Sequence, residues 1–199
     1  MDKINKKTIN KFVKELTPKQ RQIAYKKVKQ LETITTTPMD NFQIEKYLPN
    51  VPIISYSDLP KYSSIEDILP HNNSYAVILY QNSPNSGHWT ALFRKDNKIY
   101  FFCSYGSKVD EPLNWISKQA NKKLGINAPY LSILLNKTKM PVLYNTIEHQ
   151  DEDRRVSTCG RFVVYFIKSM LNGQDLGDFN KKIKASGLPP DVYVSEKIL

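Results

Sequence analysis

Helix-spaced apolar residues at both ends of the chain, and strand-like runs between them, predict an α+β fold. Near the N-terminus Ile9, Phe12, Val13 and Leu16 recur at helical spacing. Thr17-Pro18 then reads as an N-cap followed by proline at the first helical position. Ala24, Val28 and Leu31 supply this second helix with an apolar stripe. The polar run 33–37, closed by Pro38, reads as a break and is the best linker in the chain. Asp40 with Gln43 resembles a capping box that opens a short helix ending before Pro49. Residues 50–74 are rich in Pro, Ser and Asn and read as an irregular segment.

The centre changes character. Residues 75–80 form a buried-strand run, and 89–93 and 99–105 form two more. Between the last two, Lys95-Asp96-Asn97-Lys98 is a good hairpin turn. Residues 112–122 look helical and 142–147 look like another strand. Cys159 opens the longest apolar helical stretch, through Leu171, stopped by Asn172-Gly173.

Composition narrows the possibilities. A chain of 199 residues suits one domain with a terminal extension. With 40% hydrophobic and 11% aromatic residues it can bury a core without staples. No apolar run approaches the roughly 20 residues of a membrane helix, so no membrane association is expected. Residues 1–7 do not read as a signal peptide. Two cysteines and three scattered histidines support neither a disulfide scaffold nor a structural zinc site. Phosphate-cradling glycine loops are absent, and no cofactor is expected.

Charge is concentrated at the N-terminus. Residues 1–30 hold Lys3, Lys6, Lys7, Lys11, Lys14, Lys19, Arg21, Lys26, Lys27 and Lys29 against only Asp2 and Glu15. Most of the chain's net charge of +10 therefore sits there. Such a segment can condense on a polyanion and release counterions, which makes DNA a credible partner, as activator or anchor. A solvated helix face that keeps the protein soluble is the plainer alternative.

Three segments carry chemistry. They are Ser86-Gly87-His88-Trp89 at a loop-to-strand junction, Phe102-Cys103-Ser104-Tyr105-Gly106 at the next strand's end, and Gln150 followed by Thr158-Cys159-Gly160. A thiol at the first turn of a helix faces unpaired N–H groups and the positive end of the helix dipole. A histidine beside it can take the proton. The nucleophile's own N–H and a glutamine amide can stabilise an oxyanion. Singly each residue has an ordinary structural reading; together they supply the parts for acyl transfer.

These motifs resemble the adenain/Ulp-type cysteine proteases, which include the adenovirus maturation endopeptidase, virophage relatives and SUMO-deconjugating enzymes. Asn41-Phe42-Gln43-Ile44-Glu45 and Tyr56-Ser57-Asp58-Leu59-Pro60 resemble the viral branch, and the resemblance spans about residues 40–172. It implies that Cys159 is the nucleophile and His88 the general base. Gln150 and the Cys159 N–H would form the oxyanion hole. Trp89 would shield the His88 ring and wall the site. It further implies a papain-like architecture with a central mixed sheet, and cleavage near small residues such as glycine.

The chain departs from the family pattern twice. Cys103 stands at the third triad position, where the family places an acid. Either a Cys–His dyad operates or another group orients the ring. Ser104 should point to the opposite face, and Asp110 is a distant candidate. Gln150 also lies nine residues before Cys159, a longer spacing than the family's, with the charged stretch 151–155 between them.

The organisation expected is a basic helical segment over 1–36 and a cysteine protease domain over 37–199. The function expected is a monomeric thiol endopeptidase that cleaves capsid or scaffold precursors during virion maturation. It would work in the virion and the host-cell interior, at a cytoplasmic assembly site or in the nucleus. The alternatives are a ubiquitin-like-modifier isopeptidase and a catalytically decayed, polyanion-binding virion protein.

Overall fold

The alternation of side chains in the central segments builds a sheet covered on both faces. The computed structural model describes residues 17–84 and 86–199. Strands β1 (Ile53–Ser55), β2 (Tyr75–Ser83), β3 (Ser86–Lys95), β4 (Lys98–Phe102) and β5 (Val142–Tyr144) lie side by side in sequence order. The pairs β2–β3 and β3–β4 are antiparallel, whereas β1 and β5 join the two sides in parallel. The predicted hairpin forms with Asp96 and Asn97 both at positive φ, 51° and 56°, which suits the twist of the flanking strands.

Each strand feeds two cores. Val77, Leu79, Trp89, Ala91, Phe93, Tyr100 and Phe102 face one side. Ala76, Ile78, Tyr80, Leu92, Ile99, Phe101 and Cys103 face the other. Because both faces are covered, the strands read as continuous apolar runs.

The first face is covered mainly by α2 (Asn41–Tyr47), α5 (Cys159–Leu171), α6 (Leu176–Ala185) and α7 (Pro190–Lys197). Phe102 stacks on Phe166 at a centroid distance of 4.6 Å, and Phe179 closes edge-on against both rings. The second face is covered by Leu124 and Ile126 just after α3 (Lys118–Lys123), by α4 (Tyr130–Leu135) and by short 3-10 turns. This is the α+β arrangement with a mixed central sheet expected from the sequence.

Helix α1 (Pro18–Thr36) starts as predicted, with Thr17 and Gln20 in a reciprocal capping box. Several details differ from the sequence reading: the helix expected over 112–122 is a 3-10 turn (Glu111–Trp115) followed by α3, and the strand expected over 142–147 ends at Tyr144. The threonine run does not break the helix. The Thr33 and Thr36 hydroxyls bond back to the carbonyls of Lys29 and Glu32, both at 2.9 Å, so helix and polar side chains coexist up to Thr36. The stripe through Val28 is also not a buried face: Val28 stays about half exposed, beside exposed Ile23 and Tyr25. The helix rests against α7, with Lys27 and Glu196 paired at 3.5 Å. Finally, the irregular segment contains β1 and two 3-10 turns that bury Tyr56, Leu59 and Ile65. The helix expected from Ile9, Phe12, Val13 and Leu16 lies outside the described residues.

Candidate active site

β4 ends at Phe102, earlier than the predicted limit, and the following residues turn away from the ladder. The Gly106 N–H closes that turn on the Cys103 carbonyl at 3.0 Å. Antiparallel register then decides which side chains meet. Ala91 pairs with Phe102, so His88 and Cys103 fall on the same face as diagonal neighbours. Nε2 of His88 and Sγ of Cys103 are 3.3 Å apart. A tautomer protonated at Nε2 donates to that sulfur and leaves Nδ1 as the basic nitrogen.

The N–H groups of Tyr105 and Ser107 and the Ser107 hydroxyl lie near the Cys103 sulfur and favour its thiolate against burial. Among the described residues no carboxylate bonds to His88. Asp110 is committed elsewhere: its carboxylate accepts from the Tyr56 and Tyr80 hydroxyls and from the Ser132 N–H, at 2.6, 3.2 and 2.9 Å.

Cys159 opens α5 as the sequence predicts. The backbone N–H groups of Trp89 and Gly160 lie near its sulfur and favour the thiolate. This seating depends on Gly160. A Cβ there would fall 2.8 Å from the Met39 side chain and 3.3 Å from the Trp89 ring, so a larger residue would push the helix start off β3. Gly87, one residue before His88, is equally constrained: a Cβ would meet the Tyr80 carbonyl oxygen at 2.1 Å.

Gln150 is buried, and its amide is oriented. Its Oε1 accepts from the Ser104 hydroxyl at 2.7 Å, and its Nε2 faces the Val156 carbonyl at 3.4 Å. Backbone bonds from His149 and Gln150 to the Ser104 carbonyl, 2.8 and 3.0 Å, anchor the same segment. The side chains of Cys103 and Ser104 do diverge as expected, one to His88 and the other to Gln150. No signal in the sequence connects Ser104 with Gln150, because 46 residues separate them.

His88, Gln150 and Cys159 line one cavity of about 380 Å³ with Tyr105, Trp115 and Gly87. The rings that cover His88 are Tyr105 and Trp115, each with its centroid 5.0 Å away. Trp89 does not take that place. Its indole donates to the Met39 carbonyl at 2.9 Å, and its ring backs Cys159 and Gly160 from the other side of β3. It also lines an adjoining groove with Met39, Ser86 and Gly87.

The segment joining α1 to α2 reaches the same place. The Ser157 N–H donates to the Thr35 carbonyl at 2.8 Å, and Arg161 Nη1 donates to the Thr37 carbonyl at 2.7 Å. Residues on both sides of Cys159 are therefore tied to the end of α1. Of the ten basic residues singled out, Lys19, Lys26, Lys27 and Lys29 lie exposed on α1, and Arg21 belongs to the same helix. Lys3, Lys6, Lys7, Lys11 and Lys14 lie outside the described residues.

Burial dominates the electrostatics. It pushes the His88 imidazole down from its ordinary value to about 3. It pushes the Cys159 and Cys103 thiols up, against the neighbouring N–H groups that favour the thiolate. The resting site at neutral pH is therefore thiol and neutral imidazole, not an ion pair. Thiolate is the alkylating species, and at neutral pH no imidazolium stands by to stabilise it. Alkylation of Cys159 by iodoacetamide is expected to accelerate through the alkaline range. Peptide mass spectrometry separates Cys159 from Cys103, and a rate already level below neutrality would contradict this charge state.

Comparison with known proteins adds a lineage. No protein-family model matches the chain. The uncharacterized protein V9 of Sputnik virophage is 34% identical over 158 residues, covering 78% of this chain and 89% of V9. The chain belongs to the virophage V9 family. Two crystal structures of the ASFV pS273R protease, one in selenomethionine form, align with TM-scores of 0.43 and 0.41. Their identities are 15% and 14%, over 70% of this chain. The aligned region spans 60% of that protease, less than two thirds of its length.

Proposed function

We propose that the protein is a thiol endopeptidase that processes capsid or scaffold precursors during virion maturation. The observation that carries this reading is the convergence of His88, Gln150 and Cys159 on one cavity, with the thiol at the first turn of α5. Cys159 sulfur attacks the scissile carbonyl carbon while His88 takes the thiol proton. The carbonyl oxygen becomes an oxyanion that accepts from the Cys159 N–H and the Gln150 amide. Collapse of that intermediate breaks the C–N bond, and His88 returns the proton to the departing amine. Water then hydrolyses the thioester by the same route and restores the thiol. Cys103 accepts from His88 Nε2 and orients the ring in the place of the family's acid, without supplying a full negative charge.

The substrate assignment rests on kinship with a virophage protein. The groove beside Trp89 and Gly87 suits an extended chain with small residues next to the cut. Polyanion contact through Lys19, Lys26, Lys27 and Lys29 fits their exposure on α1.

The test is incubation of the purified protein with the capsid precursor of the same virus and, separately, with a ubiquitin-like-modifier conjugate. A new N-terminus inside the precursor, with the conjugate intact, is expected. Hydrolysis of the conjugate alone would assign an isopeptidase. Inertness toward both would assign a non-catalytic virion protein.

A further inference from the structure

Gln150 and Cys159 are separated by an eight-residue loop, 151–158, that must bring the ends of two different elements to one point. The outer part of this loop is a local charged turn. Asp153 pairs with Arg155 at 2.6 Å, and both side chains are substantially exposed. Inside the loop the Asp153 N–H donates to Asp151 Oδ1 at 2.9 Å, the Val156 N–H to the Asp153 carbonyl at 2.8 Å and Gln150 Nε2 to the Val156 carbonyl at 3.4 Å, but none of these bonds reaches Thr158.

A single carboxylate from a distant helix bridges the loop's first and last residues. Asp191, in the first turn of α7, is buried at 8% exposure. One of its oxygens accepts from the Thr158 hydroxyl, and the other accepts from the Asp151 N–H at 3.0 Å. Asp151 is the first residue of the loop and follows Gln150. Thr158 is the last and precedes Cys159. Thr158 occupies the N-cap of α5, yet its hydroxyl caps no helix N–H. That hydroxyl is given to Asp191 instead.

Burying a carboxylate costs free energy, and no lysine or arginine among the described residues pairs with this one. Its compensation comes from the two loop-end donors. Asp191 therefore spans the two residues adjacent to the two oxyanion donors.

We infer that Asp191 is a positioning residue that holds the Gln150 amide and the Cys159 N–H in register across the 151–158 loop. The inference rests on the protease reading, since an oxyanion hole has meaning only for acyl transfer. It also accounts for how the long spacing between Gln150 and Cys159 is compatible with one site.

The test uses the full chain and compares two reagents that make different demands. A peptide aldehyde is captured when the Cys159 thiol adds across its carbonyl, sulfur to carbon and proton to oxygen. The resulting oxygen occupies the oxyanion position. Iodoacetamide alkylates the same sulfur by displacing iodide and needs no oxyanion donor.

Asp191→Asn should lower kcat, and weaken aldehyde binding in step, by about tenfold to a hundredfold, the scale of a small misplacement of catalytic groups. KM and the iodoacetamide rate should stay within about twofold of the parent if the thiol is undisturbed. Thr158→Val, which removes one of the two donors, should produce a smaller loss of the same kind and keeps the idea testable if Asp191→Asn does not fold. Unchanged kcat and aldehyde affinity in a folded Asp191→Asn variant would overturn the inference and leave the protease reading standing. Equal losses with both reagents would also overturn it, by showing general damage to the helix start. Absence of peptide cleavage by the parent protein would instead remove the protease reading, and this inference with it.

Discussion

Cys159→Ala is expected to abolish peptide-bond cleavage while leaving the protein folded. Among the described residues, Cys159 supplies the only sulfur lining the cavity that holds His88 and Gln150; Cys103 sits behind the ring, outside that lining. Removing a nucleophile that acts as a unit with its base costs on the order of 10³-fold or more in kcat. The fold should tolerate the change. Alanine suits a helix start, and the close contact of Gly160 with Met39 and Trp89 is untouched. Rate assays with the capsid precursor and a thermal melt check the two halves of this expectation. Cys103→Ala is the control and should retain most activity. If the two variants behave the other way round, the nucleophile has been assigned to the wrong cysteine.

Gln150→Ala is expected to lower kcat by roughly 10²–10³, the usual effect of deleting one oxyanion donor. KM should change little, because the donor acts on charge that develops only in the transition state. Ser104→Ala offers a graded version. It leaves Gln150 in place but removes the hydroxyl that orients its amide, so its loss should be real but smaller. A Gln150→Ala loss below about threefold would move the second donor elsewhere in the 148–158 segment. Steady-state kinetics on the two variants and the parent decides the matter.

Much of the fold was legible because local physics and tertiary structure agree. Thr17-Pro18 and Asp40 with Gln43 satisfy helix N–H groups within a few residues, so they mark helix starts wherever those helices pack. The turn at Asp96-Asn97 is specified by two residues that tolerate positive φ. The 159–171 helix is apolar on nearly every side because it is buried on nearly every side. Where local and tertiary preferences part, the reading failed. β1 is only three residues long, and its pairing with β2 supplies what its own sequence does not. The threonines at 33–37 can bond to helix carbonyls or break a helix, and packing chooses the former.

The candidate site divides along the same line. The sequence alone determined which residue types were present and which of them sit at element ends: His88 near the start of a strand and Cys159 at the first position of a helix. The family resemblance put Cys103 at the third triad position, and pairing across a short hairpin does bring it, 15 residues on, to the histidine. Tertiary structure decided the rest. It brought Tyr105 and Trp115, rather than Trp89, over the His88 ring. It committed Asp110 to two tyrosines and a helix start. It set Ser104 on Gln150 and Asp191 on both ends of the 151–158 loop. The hydrogen bonds among these contacts join residues 22 to 54 positions apart across different elements, and partners at that range leave no periodic trace in a chain. Side-chain direction, burial and register select them, and those exist only once the sheet and its helices have closed around the site.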